Sequence, residues 1–260
     1  MALASREIGA QVVLWGRNPE RVALASSLGL EATTNLGEAV EGADLVVFAV
    51  PVGVMDLLAD KIVDLLSPRA LVTDVGSVKS LPHEVAAARR LRFVGSHPMA
   101  GSEQTGVEAA RADLFHGAAC VLTNDGGIPV EEVQDLSDFW EALGCGHLRT
   151  MTAAGHDEAV ARISHFPHAM SSLTAGVSLK DVSHAELAGG GFRDTTRVAA
   201  GDPTMWAEIM IENRGALQDS LEEVRDQIGK MLDQLANSDQ EGLKAYLAEV
   251  KVRKDRTDLS

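Results

Sequence analysis

Short, uninterrupted apolar runs alternate with longer amphipathic stretches through the first part of the chain. The runs at Gln11–Trp15, Asp44–Val50, Ala70–Val75, Arg92–Gly95, Ala119–Thr123 and Gly146–Met151 predict strands. Helical spacing over Pro19–Leu28, Val54–Leu66, Leu81–Leu91 and Val130–Leu143 predicts the helices between them. The stretch from Leu45 to Val50 has no polar alternation, which predicts a strand covered on both faces. Strands that alternate with helices in this way indicate an α/β, doubly wound parallel sheet.

The pattern changes after Met151. From Ala154 onward helical periodicity takes over, with an apolar stripe through Leu217, Leu221, Val224, Ile228, Met231, Leu232 and Leu235 and a further helix over Gln240–Lys251. Glycines at 189–191 and the Gly201-Asp202-Pro203 turn break this region into separate helices. Two domains are therefore expected, an α/β domain over 1–151 and an all-helical one over 152–260. Part of the helical stripe is expected to pair with a second copy, giving a homodimer. Met1–Ile8 reads as a short amphipathic helix rather than a signal peptide, and Lys251–Ser260 as a fraying end.

Composition narrows the function. The 260 residues carry a formal net charge of −15, spread over both halves, so partners made of nucleic acid or anionic membrane are not expected. No run is long and apolar enough for a membrane span. Two cysteines, Cys120 and Cys145, do not make a disulfide scaffold, and a cytoplasmic location is expected.

Four segments carry candidate chemistry. Asp74–Lys79 follows a predicted strand, where open α/β sheets bind ligands, so Ser77 and Lys79 are expected to meet one; a helix cap by Ser77 or Ser80 is the plainer alternative. Gly95–Glu103 places His97 just beyond another strand, as a group able to move a proton near neutral pH. Ile163–His168 holds two histidines in an apolar helix that Pro167 should kink; two core histidines are as good a reading as a pocket, and a metal site has weak support. Gly190–Arg197 reads as a glycine-rich loop whose Arg193 or Arg197 could fork onto a carboxylate, or pair with a nearby Asp.

Together these segments, in this order and followed by Asp202-Pro203-Thr204-Met205-Trp206, resemble the prephenate dehydrogenase family, which includes arogenate and cyclohexadienyl dehydrogenases. The His97-Pro98-Met99-Ala100-Gly101 and Gly190–Arg197 segments carry most of the likeness, which covers nearly the whole chain. The resemblance implies a Rossmann-type domain, a helical dimerisation domain, a nicotinamide cofactor and oxidative decarboxylation of prephenate to 4-hydroxyphenylpyruvate in tyrosine biosynthesis. It implies that His97 is the catalytic histidine on the ring hydroxyl, oriented by Ser77. Arg197 would bind a substrate carboxylate and His165 would line the pocket, with Glu103, Asp194 and Trp206 nearby. Arogenate fits the same residues as an alternative substrate. His97 would titrate near its ordinary value of about 6.5.

Two departures matter. A dinucleotide fold opens on a strand and Gly-x-Gly-x-x-Gly, and this chain contains no such motif; its match to the family begins just after it. Cofactor binding by these residues alone is expected to be impaired, and a non-catalytic remnant is the contrasting reading. The second strand ends in Trp15-Gly16-Arg17, with Gly16 where NAD-binding folds place an acid, which favours NADP while leaving NAD open. Arg17, Val50, Pro51, Gly76 and Ser77 are the expected cofactor contacts.

Overall fold

The computed structural model describes residues 1–101 and 106–257. Its first half contains α1 (Ala2–Glu7), β1 (Val13–Trp15), α2 (Pro19–Ser27), β2 (Glu31–Thr33), α3 (Leu36–Val40), β3 (Leu45–Phe48), α4 (Val52–Ile62), β4 (Leu71–Asp74), α5 (Ser80–Ala88), β5 (Gly95–Pro98), β6 (Ala119–Thr123), α6 (Val130–Ala142) and β7 (His147–Met151). Local chemistry starts the early helices. Asn18 accepts from the amides of Glu20 and Arg21 with Pro19 at the first helical position, and Asn35 caps α3 in the same way.

The strands pair as β1 with β2, β3 with β4, and β5–β6–β7. A parallel bridge from Val72 to Phe93 joins the second group to the third. All pairings between strands are parallel except β5–β6, which is antiparallel. Among the described residues β1 and β3 share no ladder, and Leu45, Val46 and Val47 are only half-buried. The predicted two-sided burial of that strand is therefore not met: Leu45, Val46 and Val47 are half-buried, and among the described residues β3 pairs with β4 alone. The core lies under β4–β7 and under α4 and α5, around Trp140, Phe93, Met55 and Ile62.

The second half is helical: α7 (Ala153–Val160), a π-helical turn over Ala161–His165, α8 (Phe166–Ser178), α9 (Gly190–Thr196), a 3-10 turn over Arg197–Ala200, α10 (Pro203–Glu212), α11 (Arg214–Ala236) and α12 (Gln240–Asp255). The expected kink takes the form of the π-turn just ahead of Pro167, whose ring lacks the N–H that a regular helix would use. The expected fraying does not begin at Lys251. Helix α12 runs on to Asp255, helped by the pairs Arg253–Glu249 and Lys251–Asp255. None of the described helices is long and apolar enough to cross a membrane.

Candidate active site

Strand β4 ends in Asp74, whose carboxylate gathers three groups. It accepts from the amides of Gly76 (2.9 Å) and Ser96 (3.2 Å), and from the Lys79 ammonium. Lys79 is completely buried, so it does not face a ligand as its position in the sequence implied; its charge is matched by Asp74. Burial pulls the Lys79 pKa down and Asp74 opposes it. Removing one partner of such a buried pair typically costs about 3–5 kcal/mol. Gly76 lets the turn close, because a Cβ there would lie 2.7 Å from Val52 Cγ2. Ser77, half-buried in this turn, has no hydrogen-bond partner for its hydroxyl among the described residues.

Gly95–Pro98 is a strand rather than the loop after one. The glycine marks a close approach: a Cβ at Gly95 would collide with Thr123 Oγ1 and lie 2.9 Å from Lys79 Cδ. Pro98 has no amide to satisfy, and the Met99 amide bonds Ala119 O (2.7 Å). His97 thus sits buried in β5, opposite Val121. Its Nδ1 lies 2.8 Å from His156 Nε2, so the hydrogen bond expected from Ser77 goes instead to a histidine of the helical half.

His156 in turn bonds Asp157 Oδ1 through its Nδ1 (2.8 Å). Asp157 accepts from the amides of Lys79 (2.7 Å) and Ser80 (2.8 Å), capping α5 from another element. Neither Ser77 nor Ser80 does so. Burial pushes the Asp157 pKa up, but the bonds from His156, Ser80 and Lys79 win and hold it below the ordinary value. Sequence reasoning passed over His156 and Asp157. The available signal was periodic: with Ala153 and Val160 they form the buried face of α7, an unusual place for two polar side chains.

His165 ends the π-turn, buried, with Nδ1 3.1 Å from Asn213 Nδ2; that amide also donates to Asp157 O (2.8 Å). One turn on, His168 stacks flat on Trp206, their ring centroids 3.6 Å apart, and His165 meets the same indole edge-on at 6.3 Å. Gly201 makes room, since any Cβ would overlap the Trp206 ring. The predicted glycine-rich loop is helix α9, entered at Gly190, with Phe192 and Thr196 half-buried one turn apart. Asp194 and Arg197 stand exposed, Arg197 on the 3-10 turn that packs against α8. The alternative pairing of Arg193 or Arg197 with an Asp is not formed among the described residues. Glu103 lies outside the described residues.

Burial makes the three histidines weak bases. His97 is pushed down to about 2 by burial and by Lys79, His156 and His165, and His165 to about 4 by burial against the pull of Asp157. His168 is lowered by burial as well. The expected titration of His97 near 6.5 is therefore corrected: its neutral form persists far into acid.

The expected cofactor contacts line the carboxyl ends of the strands. Arg17 is exposed after β1, Val50 and Pro51 lead from β3 into α4, and Gly76 and Ser77 follow β4. Gly16 packs against α2, where a Cβ would lie 3.1 Å from Val22 Cγ2. Two carboxylates of α10, Glu208 and Glu212, reach Gly53 at the start of α4, and burial with the charge of Glu208 pushes Glu212 up to about 7. The expected cofactor residues thus lie at the strand ends where such folds bind, whereas the glycine-rich turn that holds a pyrophosphate is not among these residues.

Comparison with known proteins agrees with this architecture. The family model described as "Prephenate dehydrogenase, nucleotide-binding domain" matches residues 1–148, and "Prephenate dehydrogenase, dimerization domain" matches 152–249. A cyclohexadienyl dehydrogenase of Zymomonas mobilis is 33% identical over 241 residues, covering 87% of this chain and 80% of the relative. The structure of prephenate dehydrogenase from Aquifex aeolicus, solved with hydroxyphenyl propionate and NAD+, superposes with a TM-score of 0.88 at 30% identity, covering 99% of this chain and 93% of the other. That of Synechocystis arogenate dehydrogenase gives 0.84 at 30% identity, over 98% and 95%. With both halves matched by the family's two domain models, the chain belongs to the prephenate dehydrogenase family.

Proposed function

We propose that this chain is an NAD(P)-dependent dehydrogenase that converts prephenate to 4-hydroxyphenylpyruvate with loss of CO₂. The observation that carries this reading is His97: a buried imidazole set where the two halves meet, its Nδ1 2.8 Å from His156 Nε2. His97 takes the proton of the ring hydroxyl. Arg197 pairs with a substrate carboxylate, and His165, with Ser77, positions the hydroxyl-bearing ring. Asp194 and Trp206 belong to the same substrate site, and the family resemblance adds Glu103 to it. The nicotinamide supplies the hydride acceptor for the carbon that bears the hydroxyl. As the carboxylate leaves as CO₂, its bonding electrons aromatise the ring, so the protein need only orient groups and offset charge. Arogenate, with an amine in place of the keto group, is the second substrate; the similar Synechocystis protein is an arogenate dehydrogenase.

Arg17 and Gly16 favour NADP over NAD, since a guanidinium suits a 2′-phosphate and no acid stands ready for a 2′-hydroxyl. The apolar residues left exposed on α11 and α12, and the matched dimerization-domain model, support a homodimer through the helical half. Two unpaired, buried cysteines suit the reducing cytoplasm.

The test is formation of reduced nicotinamide and of 4-hydroxyphenylpyruvate by the purified chain with prephenate or arogenate. His97→Asn should lower kcat by about 10²–10⁴-fold, the usual worth of a positioned base. An unchanged rate removes His97 from the chemistry, and no turnover with either substrate and either cofactor favours the non-catalytic remnant, with the family membership left standing. Gly16→Asp should shift preference toward NAD, with Val22 giving way to the new side chain; an unmoved preference refutes the role of this turn.

A further inference from the structure

The hydrogen bonds that join the two halves can be followed proton by proton. A carboxylate only accepts, so the bond between Asp157 Oδ1 and His156 Nδ1 carries a proton on the histidine. A neutral imidazole has one N–H, which leaves His156 Nε2 as an acceptor. The proton in the 2.8 Å contact between His156 Nε2 and His97 Nδ1 then belongs to His97. His97 is left with a lone pair on Nε2. That is the form a base requires; the other tautomer would present an N–H to a substrate hydroxyl and could not take its proton.

We propose that His156 and Asp157 are positioning residues that hold His97 in the Nδ1–H tautomer, so that Nε2 faces the substrate as the proton acceptor. This deepens the function proposed above and rests on His97 being the base. The amides of Lys79 and Ser80 grip Asp157, so the tautomer is imposed by the docking of α7 on α5. The same logic gives His165 the opposite form. Asn213 Nδ2 must donate to the Asp157 carbonyl, which fixes the amide's orientation, so its second hydrogen goes to His165 Nδ1 and His165 keeps its proton on Nε2. The two histidines thus carry opposite tautomers, one with a bare Nε2 and one with an Nε2–H.

Nitrogen-15 NMR of the histidine-labelled full chain at neutral pH reads the tautomers without turnover, with His97→Asn identifying the His97 resonances. The expected spectrum shows a protonated Nδ1 and a bare Nε2 for His97. In Asp157→Ala, His156 Nδ1 loses the acceptor that fixes its proton, so His156 is free to donate from Nε2 and the His97 proton is no longer held on Nδ1. The kcat of this variant should fall by at least about 100-fold with KM little changed. Should that variant fold poorly, His156→Phe removes the acceptor while keeping a ring of similar size. Either substitution made in the His97→Asn background should add no further loss, because it acts only through His97. A wild-type His97 protonated at Nε2 overturns the proposal, as does an equal loss in both backgrounds, which would mark a merely structural role. Absent turnover with the expected tautomers in place would instead favour the non-catalytic remnant and leave the positioning of His97 intact.

Discussion

In the sheet half, Trp140, Phe93, Met55 and Ile62 are sealed from solvent in two core clusters, and both clusters draw all their residues from before Ala153. In the helical half, Ile228, Leu232 and Leu235 stand 48%, 60% and 58% exposed at i, i+4 and i+7 of α11, and Leu247, Val250 and Val252 of α12 are open too. The first region buries most of its core within itself, apart from the half-buried β3; the second carries an apolar face that a single chain leaves uncovered. The site follows the same division. His97 is held in a buried strand with both flanks fixed, whereas Arg197 and Asp194 lie on an exposed helical segment. The proposed base lies in the buried sheet, and the groups proposed to meet the substrate's carboxylate lie in the half whose apolar face is open.

This contrast can be broken most strongly at the open face. Leu232→Asp places a charge in the apolar row of α11, and sedimentation velocity should show the dimer replaced by a species of half its mass. The sheet half should keep its fold, seen as an unchanged tautomer and environment for His97; an intact dimer would show that α11 is not the interface. A smaller effect is expected at the exposed side of the site. Arg197→Ala should raise KM by about 10- to 150-fold, corresponding to the ~1.5–3 kcal/mol of a charged hydrogen bond, with kcat much less affected. An unmoved KM would take Arg197 out of the pocket.

The smallest effect separates rate from stability in the buried part. With His97 pushed to about 2 and His165 to about 4, no loss of active base is expected near 6.5, so kcat/KM should stay level from pH 8 to about pH 5. Stability behaves differently. These histidines bind protons more readily when unfolded, so between their folded values and about 6.5 the unfolded state holds more protons and stability rises with pH. The contribution is complete above about pH 6.5 and is lost progressively as pH falls below it. A pH series of thermal midpoints should therefore decline below 6.5 while the rate is still level. A rate that halves at 6.5 in Glu212→Gln as in the wild type would show His97 to be solvated, because that substitution removes the other group raised into this range.

Much of this was legible along the chain. Continuous apolar runs gave the strands at Ala119–Thr123 and near Leu71, and Pro19 and Asn18 placed the start of α2. The short elements β2 and α3 were not found, because three or five residues do not establish a period. Gly95-Ser96-His97-Pro98 looked like a turn because glycine and proline usually interrupt strands; here the glycine admits Thr123 and the proline has no amide to pair. Gly190–Gly191 looked like a loop for the same reason and opens a helix instead.

What the sequence determined by itself was the division into a sheet half and a helical half and the residue types proposed for the chemistry, His97, Ser77, His165 and Arg197, since periodicity and motif are properties of order along the chain. Tertiary structure decided which of them touch. Lys79 turned inward to Asp74, His97 found His156 fifty-nine positions away, and Asp157 closed the helix that Ser77 and Ser80 leave uncapped. Those partners depend on how α7 docks against β5 and α5. The docking is set by burial and by the satisfaction of amides and carboxylates across the junction, and no local spacing records it.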